Sequence, residues 1–222
     1  METYPELIVM LTENDRTVRN AYEVFDMCKN AKAKYWGIKE RGLSLTEMKE
    51  LFSYMKACGK ITVLEVVAYT RDECVEGAKM AVEFGCDILM GTVYCDCINE
   101  LCKQNGIKYI PFVGDVSGRP SVLNGTAESM SEQAESYVKS GVFGVDLLGY
   151  RYTGDCEKLN MEVVSHTRAH VCIAGSVDSC ERLDEIRNTG CWAFTVGGAF
   201  FKNKFGGSIE EQINKVYDYV RK

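Results

Sequence analysis

Short apolar runs alternate along the chain with longer stretches in which apolar residues recur every three or four positions. Runs that are apolar throughout are typical of strands buried on both faces, as in parallel sheets covered by helices. The stretches between them, such as SLTEMKELFSYMKACG (44–59) and TRDECVEGAKMAVEFG (70–85), have the spacing of amphipathic helices. The eight runs are ELIVMLT (6–12), KYWGIKE (34–40), ITVLEVVAY (61–69), DILMGTVY (87–94), KYIPFVGD (108–115), VFGVDLLGY (142–150), HVCIAGS (170–176) and WAFTVGG (192–198).

Glycines mark the passage from helix to strand. A glycine just past a helix adopts the left-handed conformation that ends the helix and turns the chain into the next strand. Eight units of one strand and one helix in 222 residues predict a single-domain (β/α)8 TIM barrel over residues 1–222. A doubly wound open sheet is the alternative, but it usually has fewer strands, and no G-x-G-x-x-G follows the first strand. The glycines that precede strand runs are Gly59, Gly85, Gly106, Gly141 and Gly190.

Composition and charge narrow the class of protein. The chain is 46% hydrophobic, which is ample material for a core, and its net charge is −6. No block of Lys and Arg stands out, which argues against nucleic acid as a partner. The apolar runs are far shorter than the roughly 20 residues that span a bilayer. The start, METYPELIVML, is acidic where a signal peptide is basic. We therefore expect a cytoplasmic protein without a membrane partner.

Eleven cysteines raise the question of a metal or redox site. Most of them sit inside apolar runs, where a free thiol behaves as a small hydrophobe. Cys95, Cys97 and Cys102 are closer together, as C-x-C-x4-C. Zinc and iron–sulfur sites usually show C-x2-C pairs and a fourth ligand, and no obvious fourth ligand follows here. We therefore predict reduced thiols and no metal.

Two ionisable residues stand at the predicted carboxyl ends of neighbouring strands, where barrel enzymes build their active sites. Glu65 interrupts an apolar strand, and an ionised carboxylate is costly there unless it is paired. Lys39, on the preceding strand, is its predicted partner. Proximity and partial burial would tune both pKa values for moving a proton next to a substrate carbonyl. A structural salt bridge between two strands is the alternative.

Four further residues near strand ends are predicted to bind substrate. Arg119 and Arg151 suit recognition of a carboxylate or phosphate. Asp15 and Asp115 suit sugar hydroxyls or a divalent metal, although no His-rich ligand set supports a metal. Residues 114–133 form a long βα stretch with four Gly or Pro before a helix resumes, which predicts a binding loop over the site.

Two apolar runs near the end of the chain finish in small residues. The seventh strand ends in Gly175 and Ser176, and the eighth in Gly197 and Gly198. Barrels that bind phosphorylated substrates commonly hold the phosphate with backbone N–H groups after strands seven and eight. Glycine lets the backbone approach an anion, and a serine hydroxyl can add a hydrogen-bond donor. These four residues are therefore predicted to bind phosphate. Tight turns with no ligand are the alternative.

The same region carries a family resemblance. VCIAGSVDSCERLDEIRNTGCWAFTVGGAFF (171–201) resembles the closing third of the ribulose-phosphate-binding barrel superfamily and is similar to that region of N-acetylmannosamine 6-phosphate epimerases. GIK (37–39) resembles the epimerase strand that carries a catalytic lysine, which implies that role for Lys39. The epimerases place an acid just before the glycine of strand seven, where this chain has Ala174. An acidic partner for Lys39 must therefore come from elsewhere.

Residues and resemblance together favour an enzyme that isomerises or epimerises a small phosphorylated sugar or sugar acid by abstracting a proton next to a carbonyl. An aldolase-type lyase with a Schiff base on Lys39 is the alternative, and neither reaction needs a redox cofactor. A non-catalytic barrel that binds a phosphometabolite is a third possibility. Compact barrels of this group are often dimers, and the sequence neither requires nor excludes a homodimer.

Overall fold

The computed structural model describes residues 4–222 and has the predicted alternation of strands and helices. Residues 1–3, which belong to METYPELIVML and to the predicted domain, lie outside the described residues. Each strand is shorter than its apolar run. The barrel strands are β1 (Glu6–Met10), β2 (Tyr35–Lys39), β3 (Ile61–Val66), β4 (Ile88–Gly91), β5 (Lys108–Ile110), β6 (Gly144–Leu147), β7 (His170–Ile173) and β8 (Ala193–Val196).

These strands form one parallel sheet in the order β6-β7-β8-β1-β2-β3-β4-β5. Backbone hydrogen bonds close the sheet between β5 and β6. The amide of Asp146 donates to the carbonyl of Pro111 at 2.8 Å, and the amide of Phe143 donates to that of Tyr109 at 3.2 Å. The (β/α)8 barrel prediction is therefore confirmed, and the open sheet is excluded.

Helices cover the outside of the barrel, and six of the nine in the described residues begin after a residue whose side chain caps them. At the start of α2, the Ser44 hydroxyl accepts from the Glu47 amide at 3.3 Å, and the Glu47 carboxylate accepts from the Ser44 amide at 2.7 Å. Gly85 and Gly190 end α3 and α7 with φ of 62° and 72°, as predicted. The helices are α1 (Ala21–Cys28), α2 (Leu45–Ala57), α3 (Arg71–Phe84), α4 (Asp96–Gln104), α5 (Ala127–Lys139), α6 (Cys156–Ser165), α7 (Cys180–Thr189), α8 (Gly198–Phe201) and α9 (Ile209–Tyr219). Within residues 4–222, none of them has the length and apolarity to cross a membrane.

Two small hairpins extend from the barrel strands. The first pairs Thr12–Glu13 with Arg16–Thr17, and its two turn residues, Asn14 and Asp15, have φ of 49° and 63°. Two left-handed residues in a two-residue turn match the twist of the flanking strands.

The second hairpin pairs Asp115–Ser117 with Val122–Asn124. The prediction of a loop over residues 114–133 is therefore wrong in its extent. Hydrogen-bonded strands fill its first half, and α5 begins at Ala127, where the Thr126 side chain accepts from the Ser129 amide.

The core has two layers, one inside the barrel and one between strands and helices. At the amino-terminal end of the strands, aromatic rings close the inner layer. Trp192 meets Tyr35 and Phe143 edge-on, with ring centroids 5.7 Å and 5.1 Å apart, and His170 stacks on Phe143 at 4.5 Å. The buried side chains of the inner layer are Ile8, Met10, Val63, Ile88, Met90, Ile110, Cys172 and Ala193.

Candidate functional site

A cavity of about 740 Å³ opens at the carboxyl ends of the barrel strands. Its lining includes Lys39 from β2, Glu65 from β3 and the residues that follow β6, β7 and β8. Cavities of roughly 300–1,000 Å³ are typical of small-molecule sites. The cavity therefore lies at the end of the barrel where the sequence predicts the active site.

Lys39 lies between two carboxylates in this cavity. Its ammonium nitrogen Nζ is 2.5 Å from Oδ1 of Asp15 and 3.3 Å from Oε1 of Glu65. Lys39 and Glu65 face each other in the register of β2 and β3, whereas Asp15 reaches in from the turn of the first hairpin. The Thr17 hydroxyl fixes the backbone here, since it accepts from the Lys39 amide at 2.9 Å and donates to the Lys39 carbonyl at 2.8 Å.

The opposite charges of Lys39 and its two carboxylate partners stabilise one another. Burial favours the neutral form of Lys39, but the charge of Glu65 and the hydrogen bond that Lys39 donates to Asp15 outweigh it, so that the pKa of Lys39 is raised. Burial likewise opposes ionisation of Asp15, but Lys39, Arg151 and Arg119 together lower its pKa. At neutral pH the site therefore holds an ammonium ion beside an ionised Asp15.

Sequence reasoning missed Asp146, a fully buried carboxyl on β6. Neither of its carboxylate oxygens accepts a hydrogen bond of good geometry within residues 4–222, although the Gly91 amide lies close enough to favour the charged form slightly. Burial and the charge of Glu65 raise the pKa of Asp146 well above its usual range, and Lys39 opposes them. The protein environment therefore favours the protonated, neutral form of Asp146. An acid inside the apolar run VFGVDLLGY is the same signal that identified Glu65.

The four residues predicted to bind phosphate all line this cavity. Gly175 has a φ of 86°, and a Cβ added to it would lie 2.6 Å from Cγ of Arg151. A Cβ on Gly197 would lie 2.6 Å from Oγ1 of Thr12. Close packing therefore excludes a larger side chain at both positions. The backbone of Gly175 and Gly197 thus lines the cavity without a side chain in front of it. The structure brings the two loops to one cavity, and their role in binding phosphate stays a prediction.

The two predicted arginines also line the cavity but differ in their contacts. Arg119 donates to the carbonyl of Val67 and lies 3.6 Å from a carboxylate oxygen of Glu40. Arg151 comes from a single 3-10 turn, Gly149–Arg151, after β6. Its Nε is buried and has no hydrogen-bond partner within the described part of the chain. Arg151 is therefore the better placed of the two to bind a ligand.

The cavity has an excess of positive charge although the whole chain is acidic. Seven cationic side chains line it against four acidic ones, Glu13, Asp15, Glu65 and Asp178. Such an excess favours an anionic ligand. Four of the cations, Arg16, Arg41, Lys202 and Lys204, were not predicted. They lie outside the barrel strands, and no periodic pattern in the sequence shows that such segments reach the cavity. The cations are Arg16, Lys39, Arg41, Arg119, Arg151, Lys202 and Lys204.

Asp115 is the one predicted site residue that the structure does not bring to the cavity. It is exposed on a strand of the second hairpin, opposite Asn124, whereas the tip of that hairpin carries Arg119 to the cavity. We therefore leave Asp115 out of the site. Across residues 4–222, no three His, Cys, Asp or Glu side chains are grouped so as to hold a metal ion.

Comparison with known proteins identifies the fold. No protein-family model and no curated protein matches the sequence. Orotidine 5′-phosphate decarboxylase from Pyrococcus horikoshii OT3 is similar in structure, with a TM-score of 0.73 and 14% identity over 97% of this chain and 99% of that one. N-acetylmannosamine-6-phosphate 2-epimerase from Clostridium perfringens has a TM-score of 0.65 and 14% identity over 96% and 92% of the two chains.

A chain of the tryptophan synthase α2β2 complex from Pyrococcus furiosus is also similar, with a TM-score of 0.67 and 15% identity over 100% of this chain and 99% of that one. These structures are ribulose-phosphate-binding barrels. The resemblance predicted from residues 171–201 is therefore confirmed for the fold, which is what likeness at this identity shows.

Proposed function

We propose that this protein is an enzyme that isomerises or epimerises a small phosphorylated sugar or sugar acid. The observation that carries the proposal is the ammonium group of Lys39, held 2.5 Å from Asp15 and 3.3 Å from Glu65 in the cavity at the mouth of the barrel. Acid and base groups in contact at a ligand cavity are what proton transfer next to a carbonyl requires.

The substrate class follows from the other side chains of the cavity. The bare backbone after β7 and β8 offers N–H donors to a phosphate, and the buried Nε of Arg151 offers a charged donor beside Gly175. The remaining cations suit a second anionic or polar group, as in a sugar acid. In this arrangement the phosphate anchors one end of the substrate, and the carbonyl end reaches Lys39.

The proposed mechanism divides acid and base roles between Lys39 and Glu65. The ammonium of Lys39 donates a hydrogen bond to the substrate carbonyl oxygen and stabilises the negative charge that develops there. The carboxylate of Glu65 takes the proton from the adjacent carbon. It returns the proton to a neighbouring carbon in an isomerisation, or, in an epimerisation, to the other face of the same carbon after the planar intermediate has turned over in the cavity. The lowered pKa of Asp15 makes this carboxylate a poor base, and it keeps Lys39 charged.

The charge of Lys39 favours proton transfer over the aldolase alternative. A Schiff base forms only from a neutral amine. The pKa of Lys39 is raised, so the resting site holds very little of that form. The predicted lyase is therefore the less favoured reaction for this site.

Ligand binding tests the phosphate half of the proposal. A thermal-shift screen would compare triose to hexose phosphates with the same sugars lacking phosphate, because a ligand that binds only the folded state raises the melting temperature. We expect stabilisation by phosphorylated compounds, and a smaller shift in Arg151→Met. Arg168→Met, at an exposed position before β7, is the matched control and should respond like the wild type. No shift across the panel would contradict a phosphate site.

Deuterium exchange tests the catalytic half. Each stabilising compound would be incubated with the enzyme in deuterated water, and incorporation next to the carbonyl followed by NMR. We expect exchange by the wild type and at least about a 100-fold loss in Glu65→Gln. Glu128→Gln, exposed on α5, is the control. Binding without exchange would indicate a non-catalytic barrel, and a borohydride-reduced adduct on Lys39 would indicate an aldolase.

A further inference from the structure

Two cysteines lie in contact outside the cavity, at the start of α4. Cys95 is the residue that precedes the helix, and Cys97 is its second residue. Their sulfur atoms are 2.6 Å apart. Cys97 is exposed and Cys95 partly exposed, so that a small molecule in solution can reach the pair.

The surroundings of the pair favour a thiolate. Partial burial raises the pKa of Cys95, but the hydrogen bond from Cys97, the amides of Cys97 and Ile98, and the charge of Arg71 outweigh it, so that the pKa is lowered. Arg71 is the first residue of α3, and its interaction with Cys97 raises the pKa of its own guanidinium. By contrast, burial raises the pKa of Cys86 and of Cys102 to about 12.

We propose that Cys95 and Cys97 form a redox dithiol that exchanges with small disulfides such as glutathione disulfide. The Cys95 thiol first loses its proton to solvent, and the thiolate attacks one sulfur of the small disulfide, which forms a mixed disulfide and releases one small thiolate. Cys97 then loses its proton to solvent and attacks the Cys95 sulfur, which releases the second small thiolate. Both leaving thiolates take up protons, so the protein loses two electrons and two protons, and one small disulfide becomes two thiols. This activity is independent of the proposed function of the cavity.

Two other cysteines provide internal controls for the helix-start position. Cys156 and Cys180 are the first residues of α6 and α7, and Cys180 is exposed. The side chains of Asp155 and Ser179 cap these helices. If a helix start alone made a thiol reactive, Cys180 would react as fast as Cys95. The proposal instead requires the second thiol and the arginine.

Thiol trapping with mass spectrometry tests the proposal on the whole protein. Reduced protein would be mixed with glutathione disulfide, quenched with acid at successive times, alkylated and analysed by peptide. We expect a disulfide between Cys95 and Cys97 that forms at least about threefold faster than any adduct on Cys180. In Cys97→Ser, the second step is lost, and a glutathione adduct should accumulate on Cys95.

Further variants make the result decisive. Arg71→Gln should slow the reaction of Cys95 by about threefold and leave Cys180 unchanged. Cys180→Ser should leave the pair unchanged, and Cys97→Ala repeats the trapping result if the serine variant folds poorly. Equal rates at Cys95 and Cys180, or glutathione adducts on both cysteines of the pair without a disulfide between them, would overturn the proposal.

Discussion

The two ends of the barrel are built from the same strands but have opposite chemistry. At the amino-terminal end, Trp192 packs edge-on against Tyr35 and Phe143. At the carboxyl end, an ammonium ion lies in contact with two carboxylates in a cavity. β2 begins with Tyr35 and ends with Lys39, so the environment changes completely along five residues.

This difference means that one end of the barrel contributes mainly to the stability of the fold and the other end mainly to the proposed reaction. Packed aromatic rings stabilise a fold through the apolar area that they bury and through their ring contacts. Buried charges cost solvation energy, and a paired group is often no more stabilising than an apolar one of the same size. We therefore expect substitutions at the aromatic end to change the free energy of unfolding, and substitutions at the ionic end to change activity and its dependence on pH.

Replacing Lys39 is the largest expected effect. Lys39→Met removes the only group placed to stabilise negative charge on the substrate carbonyl in the proposed mechanism. We expect the rate of deuterium exchange to fall by about 1,000-fold, in the range typical of a lost acid–base group. Lys49→Met, on the exposed surface of α2, is the control and should keep the wild-type rate. A folded Lys39→Met protein with full activity would contradict the proposed role.

Replacing Trp192 tests the opposite end of the barrel. Trp192→Ala removes the ring contacts with Tyr35 and Phe143, and we expect the free energy of unfolding to fall by about 2–4 kcal/mol. Urea unfolding measures this change. The rate of deuterium exchange per folded molecule should stay at the wild-type value. A loss of activity in fully folded Trp192→Ala would show that the two ends are not separable.

Replacing Asp146 has the smallest expected effect. The direction in which Asp146 makes the free energy of unfolding depend on pH follows from its pKa shift. The pKa of an unfolded aspartate is about 3.9, and burial raises the folded value well above it. Between these two values the folded state holds a proton that the unfolded state lacks. Wild-type stability therefore falls as pH rises, by about 1.4 kcal/mol per pH unit from this group.

Asp146→Asn removes this titration, so we expect the variant to gain about 1.4 kcal/mol of stability relative to the wild type as pH rises from 5 to 6. Urea unfolding at several pH values measures the difference. Asp115→Asn, which removes an exposed carboxyl, is the control for the loss of one acidic group. A stability difference between Asp146→Asn and the wild type that does not change with pH would mean that the buried carboxyl does not titrate in this way.

The fold and part of the site could be predicted from the sequence because burial leaves a local signal. Apolar runs, five of them preceded by a glycine, identify all eight strands, and an acid within such a run identifies Glu65. The same signal, an acid within the run VFGVDLLGY, marks Asp146. Small residues at the ends of two runs identify the loops that line the cavity.

Contacts that depend on hairpins could not be predicted. Asp15 is predicted to bind sugar hydroxyls or a divalent metal, and the sequence does not indicate that the hairpin turn brings it closer to Lys39 than Glu65 is. Asp115 was expected in the site, yet strand pairing keeps it on the surface. In both cases the position of the side chain depends on a turn of two to four residues and its packing on the barrel, which no periodic pattern in the sequence records.

The first hairpin affects how the proposed activity can change during evolution or design. One partner of Lys39 belongs to the barrel sheet, and the other is carried by a two-residue turn outside it. Turns of this kind accept substitutions and insertions more readily than barrel strands do. Evolution or a designer can therefore move or replace the Asp15 carboxylate while the strands that hold Lys39 and Glu65 stay intact, which makes the hairpin a separable unit for tuning the acidity of the lysine.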